Sequence, residues 1–509
     1  MPELSAAINT IRADARAITL CGSLPPGAPR VVLVSEFQPF DSSNSQPLNS
    51  NPFSLAPGPF ELTLPRFDGK QDRIYRRFSV EMLSPGQSPV RLAGPCQVNY
   101  LADSAADYDY PSAPTIKGLQ VHMIEDALAL GVGHAALNLN IGNILRPGPA
   151  ENHIPFEMDG RTFYFDGEYL STFDRRVKTL SDHGIVVNLI LLNALRWDGI
   201  EIHPDLRAAL VHPTFHPEGL ISAFNVTNAE SLDYYKAFVE FTAARYTRPD
   251  QAYGRACGLI IGNEVDSQWM WGNAGEMKVA QYVREYSVAL RAAFYAARKH
   301  YAQARVYVSL DHLWTRAFTR QTRRYYKGRD ILDGLNNIYR AEGDFEWSLA
   351  YHPYPEDLAH PDFWHDKTAT RSFDTKRITF KNIEILSQYL AQPHYLFDGR
   401  LRHIILSEQG FHSDETEAGE RLQAAAYAYA YWKIARTPGI ESFILHAHVD
   451  NRDEFNLNLG LWRRDKTSPL PSLPGSPKPI YEVFKQVDGP DSERIFREAR
   501  AIVGDRSWK

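Results

Sequence analysis

Strand-length apolar runs alternate with helix-length amphipathic ones from about residue 114 onward, over more than 300 residues, and no other feature constrains the chain so tightly. Gly133–Ile141, Gly184–Asn193, Cys257–Glu264, Arg305–Asp311, Glu346–Pro355, Arg402–Gly410 and Ile440–His448 each read as a strand, and the first of the set is placed near Thr115–Val121. Ala229–Tyr246 has helical periodicity. So does Glu276–Lys299, with Val279, Val283, Tyr286, Leu290 and Phe294 on one face. Parallel strands covered by helices on both faces read as unbroken apolar runs, and these do. Eight such strands with helices between them leave a doubly wound sheet or a barrel. No glycine-rich phosphate or dinucleotide loop follows any run, which removes the usual reasons for a doubly wound sheet. The expectation is an α/β fold, a (β/α)₈ TIM barrel, closed by a helix over Ile480–Val487 behind the Pro-rich loop 469–479.

A chain of 509 residues is too long for one ordinary domain. Before the barrel, short β-type runs (Ala17–Pro25, Arg30–Phe40, Phe60–Phe67, Arg73–Leu83 and Gln97–Asp103) alternate with Pro, Gly, Ser and Asn clusters. That spacing predicts an N-terminal β-sandwich. The polar stretch 41–60 reads as a loop and 102–118 as a linker, dividing the chain into a sandwich domain over 1–105 and a barrel domain over 106–509.

Polar residues follow the predicted strand ends: Asn263 and Glu264, Asp311 and His312, His352 and Tyr354, Glu408, then His446 and His448. In a barrel those ends share one rim. A carboxylate at the end of a buried run costs desolvation energy unless something compensates it, so Glu264 and Glu408 need a reason. Glycosidic cleavage supplies one. A protonated acid serves the leaving oxygen and an ionised partner the anomeric carbon, the two carboxyl groups standing about 5–5.5 Å apart in retaining enzymes. Fourth and seventh strands lie across a barrel mouth, so residues at their ends can face each other.

At these residues the chain resembles the clan A glycoside hydrolases, retaining (β/α)₈ enzymes, over roughly 114–490. Asn263-Glu264 is similar to the pair ending the fourth strand there. The resemblance implies acid/base catalysis by Glu264 and a 2-hydroxyl contact by Asn263. Glu408, in LSEQGF, resembles the nucleophile ending the seventh strand. His352 and Tyr354, in YHPYP, resemble a His and a Tyr ending the sixth, the Tyr bonding the nucleophile. Three positions depart from the clan pattern. Asn138 and Asn140 stand on the second strand, with Arg146 beyond, in place of a terminal Arg. Asn188 and Asn193 stand on the third in place of a His, and His446-Ala447-His448 closes the eighth in place of a Trp. Within the clan the chain is most similar to bacterial barrel domains without an assigned function. The implied activity is an O-glycosyl hydrolase acting on an oligo- or polysaccharide by double displacement, with no metal and no cofactor.

Asn140, Asn188, His446 and His448 are candidate sugar contacts. Two histidines projecting from one side of a strand also suit a metal, so a barrel metallohydrolase is one rival reading and a non-catalytic carbohydrate-binding barrel another. Trp271 and Trp314 are candidate stacking platforms, as are Trp269, Trp364 and Trp462. The basic run 320–329 reads as a solvated helix face. A net charge of −6 with no basic stripe speaks against nucleic acid. No apolar run approaches the roughly 20 residues that cross a bilayer. The first residues lack a cationic start and apolar stretch, which points to the cytoplasm unless a leader has been removed. Three cysteines make a poor disulfide framework. Cys257 reads as a buried small hydrophobe, and Cys21 and Cys96, which could pair, as free thiols.

Overall fold

The computed structural model describes residues 6–28, 31–42, 44–82, 89–196, 202–504 and 508. Arg30, Leu83 and the first five residues, which the sequence reading touches, lie outside the described residues. Eight parallel strands close into a barrel in chain order: Lys117–Gln120, His134–Asn140, Val186–Leu192, Ala256–Ile261, Arg305–Asp311, Trp347–His352, Ile404–Leu406 and Ile440–Leu445. The eighth returns to the first with Lys117 opposite Phe443. Ala136, Ile190, Ile260, Tyr307, Ile405 and Ile444 are among the residues that fill the barrel. Leu119, Leu137, Leu189, Leu259 and Leu349, at alternate positions, belong to the larger core beneath the helices. The interior is therefore packed, and the strand ends are left to carry polar groups.

Helices follow the strands with caps the sequence supplies. Asp166 accepts from the Tyr169 N–H at the start of Gly167–Asp182, Asn228 from Ser231 at Ala229–Tyr246, and Thr416 from Gly419 at Glu417–Ile434. Ala229–Tyr246 was expected to be amphipathic, yet it is buried on most faces. Lys236 and Glu240 stay charged there by pairing with Asp159 and Lys299. The basic run 320–329 is a series of turns, with a helix starting only at Gly328. Arg324 there pairs with Glu276 and lies over the Trp269 ring, so the expected solvated helix face is corrected. The Pro-rich loop holds a short strand, Pro474–Pro477, paired with Trp462–Arg464. The closing helix runs Pro479–Gln486, and a further helix, Ser492–Val503, packs with it on Glu417–Ile434.

Before the barrel stand two four-stranded sheets. One has the order Tyr100–Leu101, Ala7–Ala13, Ala17–Leu24, Gly58–Pro65, and the other Asn49–Ser54, Val31–Phe37, Arg77–Met82, Val90–Cys96. Burial alternates along Ala17–Leu24 and Gly58–Pro65, the mark of strands with one face on a core. Asn49–Ser54 corrects the loop expected over 41–60. It pairs with Val31–Phe37 as an edge strand, whose backbone can bond whatever its side chains are. The expected linker carries no regular element between 102 and 116, but it is fastened to the barrel. Tyr108 stacks on Tyr301 at 4.2 Å and donates to the Thr247 carbonyl, while Arg305 lies 3.6 Å from the Tyr110 ring centre. Cys21, Cys96 and Cys257 are free thiols. Among the described residues no helix is long and apolar enough to cross a membrane.

Candidate active site

The fourth strand ends at Ile261, and the chain turns through Gly262 (φ 80°) so that Glu264 takes a left-handed backbone (φ 38°). For a residue with a Cβ that conformation costs on the order of 1–2 kcal/mol, so the surroundings must hold it. They do: the Glu264 N–H donates to Ser309 Oγ at 3.0 Å, and its carbonyl accepts from the Ser267 N–H at 2.8 Å. The turn brings Glu264 Oε1 to 2.9 Å from His352 Nδ1. His352 Nε2 lies 3.0 Å from Ser407 Oγ and 3.4 Å from Ser309 Oγ. Burial lowers the His352 pKa against the pull of Glu408 and Asp311, so the ring is neutral. The network is satisfied when Nδ1–H donates to Glu264 and Nε2 accepts from Ser407. Burial first, then the charges of Asp311 and Glu408, push the Glu264 carboxyl well above the usual carboxylate range, with His446 working the other way. These surroundings favour the protonated form of Glu264.

Glu408 stands two residues past the seventh strand. Its Oε1 accepts from the Tyr354 hydroxyl at 3.3 Å and its Oε2 from Gln120 Nε2 at 3.0 Å. The other end of the Gln120 amide, Oε1, accepts from His446 Nδ1–H at 2.8 Å. His446 Nε2 lies 3.2 Å from Glu454 Oε1, an ion-pair contact. Burial opposes charge on this ring, but Glu454 and then Glu408 and Glu264 outweigh it and raise its pKa to about 9. A chain Glu454–His446–Gln120–Glu408 therefore fixes one carboxylate oxygen, and Tyr354 the other.

One oxygen from each of Glu264 and Glu408 and one ring nitrogen of His352 lie within 4.8 Å of one another. The two carboxyls share one rim. The trio also has the reach to hold a cation, but His352 would have to give up its bond to Glu264 to offer Nδ1. The expected histidine pair has no such geometry. His446 is tied to Gln120, and His448 is spent elsewhere: Nε2 lies 2.8 Å from Asp126, and Nδ1 accepts from the His122 and Met123 backbone. Both histidines also lie past the strand end at Leu445 rather than on it, which corrects the reading of them as side-by-side strand residues.

Other candidates scatter. Asp311 accepts from the His312 N–H at 2.6 Å and from its ring. Burial acts to raise its pKa, and the charge and hydrogen bonds of His312 outweigh that and lower it. Asn263 is half-buried and makes no side-chain hydrogen bond among the described residues. Trp271 is half-buried and edge-on to Phe455 at 6.2 Å. Asn140 is corrected: its amide is occupied by the Ala194 backbone, accepting at 2.8 Å and donating at 3.4 Å. Asn188 is corrected as well, since it sits near the start of its strand, in a cavity with Tyr110, His134 and Arg305 at the opposite rim. Trp314 is fully buried, donates to the Phe373 carbonyl and packs edge-on to Tyr389, so it is core rather than platform. Trp269 and Trp462 donate to Glu218 and Asp126, and Trp364 packs against Phe363.

Sequence reasoning missed Gln120, Glu454 and Asp266, and named Asn138 only as a departure from the clan pattern. Gln120 ends the short strand Lys117–Gln120, which carries too little apolar pattern to mark it. Asp266 accepts the Asp311 N–H at 3.0 Å, and burial and then Asp311 push its carboxyl well above the usual range. Asn138 is the exposed position in an otherwise buried strand.

The chain belongs to the family of unknown function DUF5722, whose model matches residues 109–509. No curated protein matches it. Among solved structures, a family 39 glycoside hydrolase from the gut symbiont Bacteroides cellulosilyticus WH2 is 13% identical, with 96% of this chain and 83% of that chain covered and a TM-score of 0.49. A hyperthermophilic beta-glucosidase from Pyrococcus furiosus is 14% identical (74% and 86% covered, TM-score 0.48), and a family 1 beta-glucosidase from Thermotoga maritima 13% (72% and 84%, TM-score 0.42). At that identity none of these likenesses fixes an activity.

Proposed function

We propose that the chain is a retaining glycoside hydrolase that cleaves O-glycosidic bonds of an oligo- or polysaccharide, with Glu408 as nucleophile and Glu264 as acid/base. The observation that carries this is the pair itself: two carboxyls within 4.8 Å, in unlike environments. That approach suits direct attack on the sugar. An inverting pair needs about 6.5–9.5 Å to admit a water. Glu264 is held protonated by burial and neighbouring charge, while Glu408 is clasped by two donors, Gln120 and Tyr354. Divergent environments for two carboxyls assign acid and nucleophile.

Glu408 attacks the anomeric carbon as Glu264 gives its proton to the leaving oxygen, and a glycosyl ester forms on Glu408. Glu264, now ionised, takes a proton from water, which opens the ester with net retention. His352, neutral and bonded to Glu264 Oε1, leaves Oε2 to carry the proton. Asn263, unengaged at the turn, is the amide available to the sugar. No step draws on a cofactor.

The test is Glu408→Gly on whichever aryl glycoside is turned over. Hydrolysis is lost, and added azide restores turnover with a glycosyl azide of inverted configuration. Near wild-type rates in both Glu408→Gly and Glu264→Gln would overturn the assignment. Glycan binding with no hydrolysis by the native protein would favour a binding role.

A further inference from the structure

Next to the Gln120–His446 chain the cleft opens into a cavity of about 240 Å³, whose walls include His122, Asn138, Arg176 and Asn451. Among the described residues its one lining acid, Glu454, is already paired with His446. Arg176 is not. It rises from helix Gly167–Asp182, donates one N–H to the Val121 carbonyl at 2.8 Å, and meets no carboxylate at ion-pair distance among the described residues. Of the half-buried arginines elsewhere, Arg146 pairs with Asp166, Arg245 with Asp174 and Arg298 with Glu346, while Arg161 and Arg255 lie over aromatic rings instead. His122, which lines the cavity with Arg176, His446, His448 and Glu454, is pushed toward its neutral form by burial and then by His448 and Arg176. Asn138 points an amide without a hydrogen-bond partner among the described residues from an exposed position of its strand.

A partly desolvated guanidinium facing a cavity, with one N–H spent on a carbonyl and the others free, is matched by an anion that accepts two hydrogen bonds. We propose that this cavity seats a carboxylate or sulfate ester on the glycone side of the substrate, with Arg176 as its counter-charge. The assignment to the glycone rests on the glycosidase reading, because the sugar esterified to Glu408 lies on the Gln120 side and the leaving group over Glu264. The anion site itself stands without it.

Calorimetric titration separates the two. The probes are D-glucuronate and D-galacturonate, then D-glucose 6-sulfate and D-galactose 6-sulfate, each against its neutral parent sugar. An acidic sugar binds at least about 20-fold tighter than its parent, and Arg176→Gln reduces that preference to about threefold or less. Arg176→Lys keeps the charge without the fork and retains part of the preference, which separates loss of charge from loss of fold. Which set binds tells carboxylate from sulfate. Equal affinity for acidic and neutral sugars, or a preference that survives Arg176→Gln in folded protein, overturns the proposal. An acid preference without turnover of 4-nitrophenyl uronides or glycosides leaves the anion site standing and removes the hydrolase reading. Turnover without the preference does the reverse.

Discussion

The two rims of the barrel are electrostatically opposite. At the N-terminal rim opposite charges are paired. Arg402 forks onto Asp344 and lies over Trp347, Arg305 and His403 share Glu441, Arg298 holds Glu346, and Lys117 reaches Asp488. At the C-terminal rim carboxyls converge: Glu264, Asp266, Asp311, Glu408 and Glu454 act on one another, and Glu264 and Asp266 are driven well above the usual range. Paired ions at one end serve stability. Crowded like charges at the other cost stability and are tolerated where chemistry needs a proton held near neutral pH.

The contrast breaks most visibly at Glu408. Glu408→Gly lowers kcat by ~10⁴-fold or more, read on an aryl glycoside, with little loss in melting temperature. Glu264→Gln comes next, at ~10²–10⁴-fold for substrates with poor leaving groups. Wild-type activity falls as pH rises through the raised Glu264 pKa, and the variant lacks that limb. Because the folded pKa lies above the unfolded one, the contribution of Glu264 to stability is full only below its ordinary value and fades as pH climbs. Glu264→Gln therefore melts roughly 1–3 °C higher than wild type at neutral pH, a gain that grows toward alkaline pH. The opposite rim answers the opposite way: Arg402→Ala strands Asp344 and costs about 3–5 kcal/mol in denaturant unfolding, with kcat of the folded fraction unchanged. The smallest effect is at His446. Its pKa of about 9 exceeds the usual 6.5, so its imidazolium stabilises fully below pH 6.5 and that support is lost between 6.5 and 9. His446→Gln flattens the slope of melting temperature over that window and, through Gln120, lowers kcat by about tenfold.

The barrel was legible because covered strands have to be apolar throughout. Arg305–Asp311 was read end to end, and Val186–Leu192 and His134–Asn140 to within two residues. Glu264, Glu408, His352 and Tyr354 were visible because a charge or polar group closing an apolar run is costly and therefore conspicuous. Asn188 misled because an apolar run announces a strand without saying which end of it a polar residue occupies. Trp314 misled because a sugar platform and a core indole have the same composition. Glu454 lies in an irregular loop that reaches His446 only in three dimensions, so no periodicity marked it. In the sandwich, Ala7–Ala13, Asn49–Ser54 and Val90–Cys96 escaped because part-exposed strands take their pairing from the backbone and carry little apolar pattern.

Trapping the covalent intermediate identifies the nucleophile. Incubation with the 2-deoxy-2-fluoro analogue of a cleaved glycoside, followed by proteolysis and peptide mass spectrometry, reports which side chain becomes esterified. One fluoroglycosyl group is expected on Glu408 and none on Glu264. An adduct on any other residue, or turnover that releases the inverted anomer with no adduct, would contradict it.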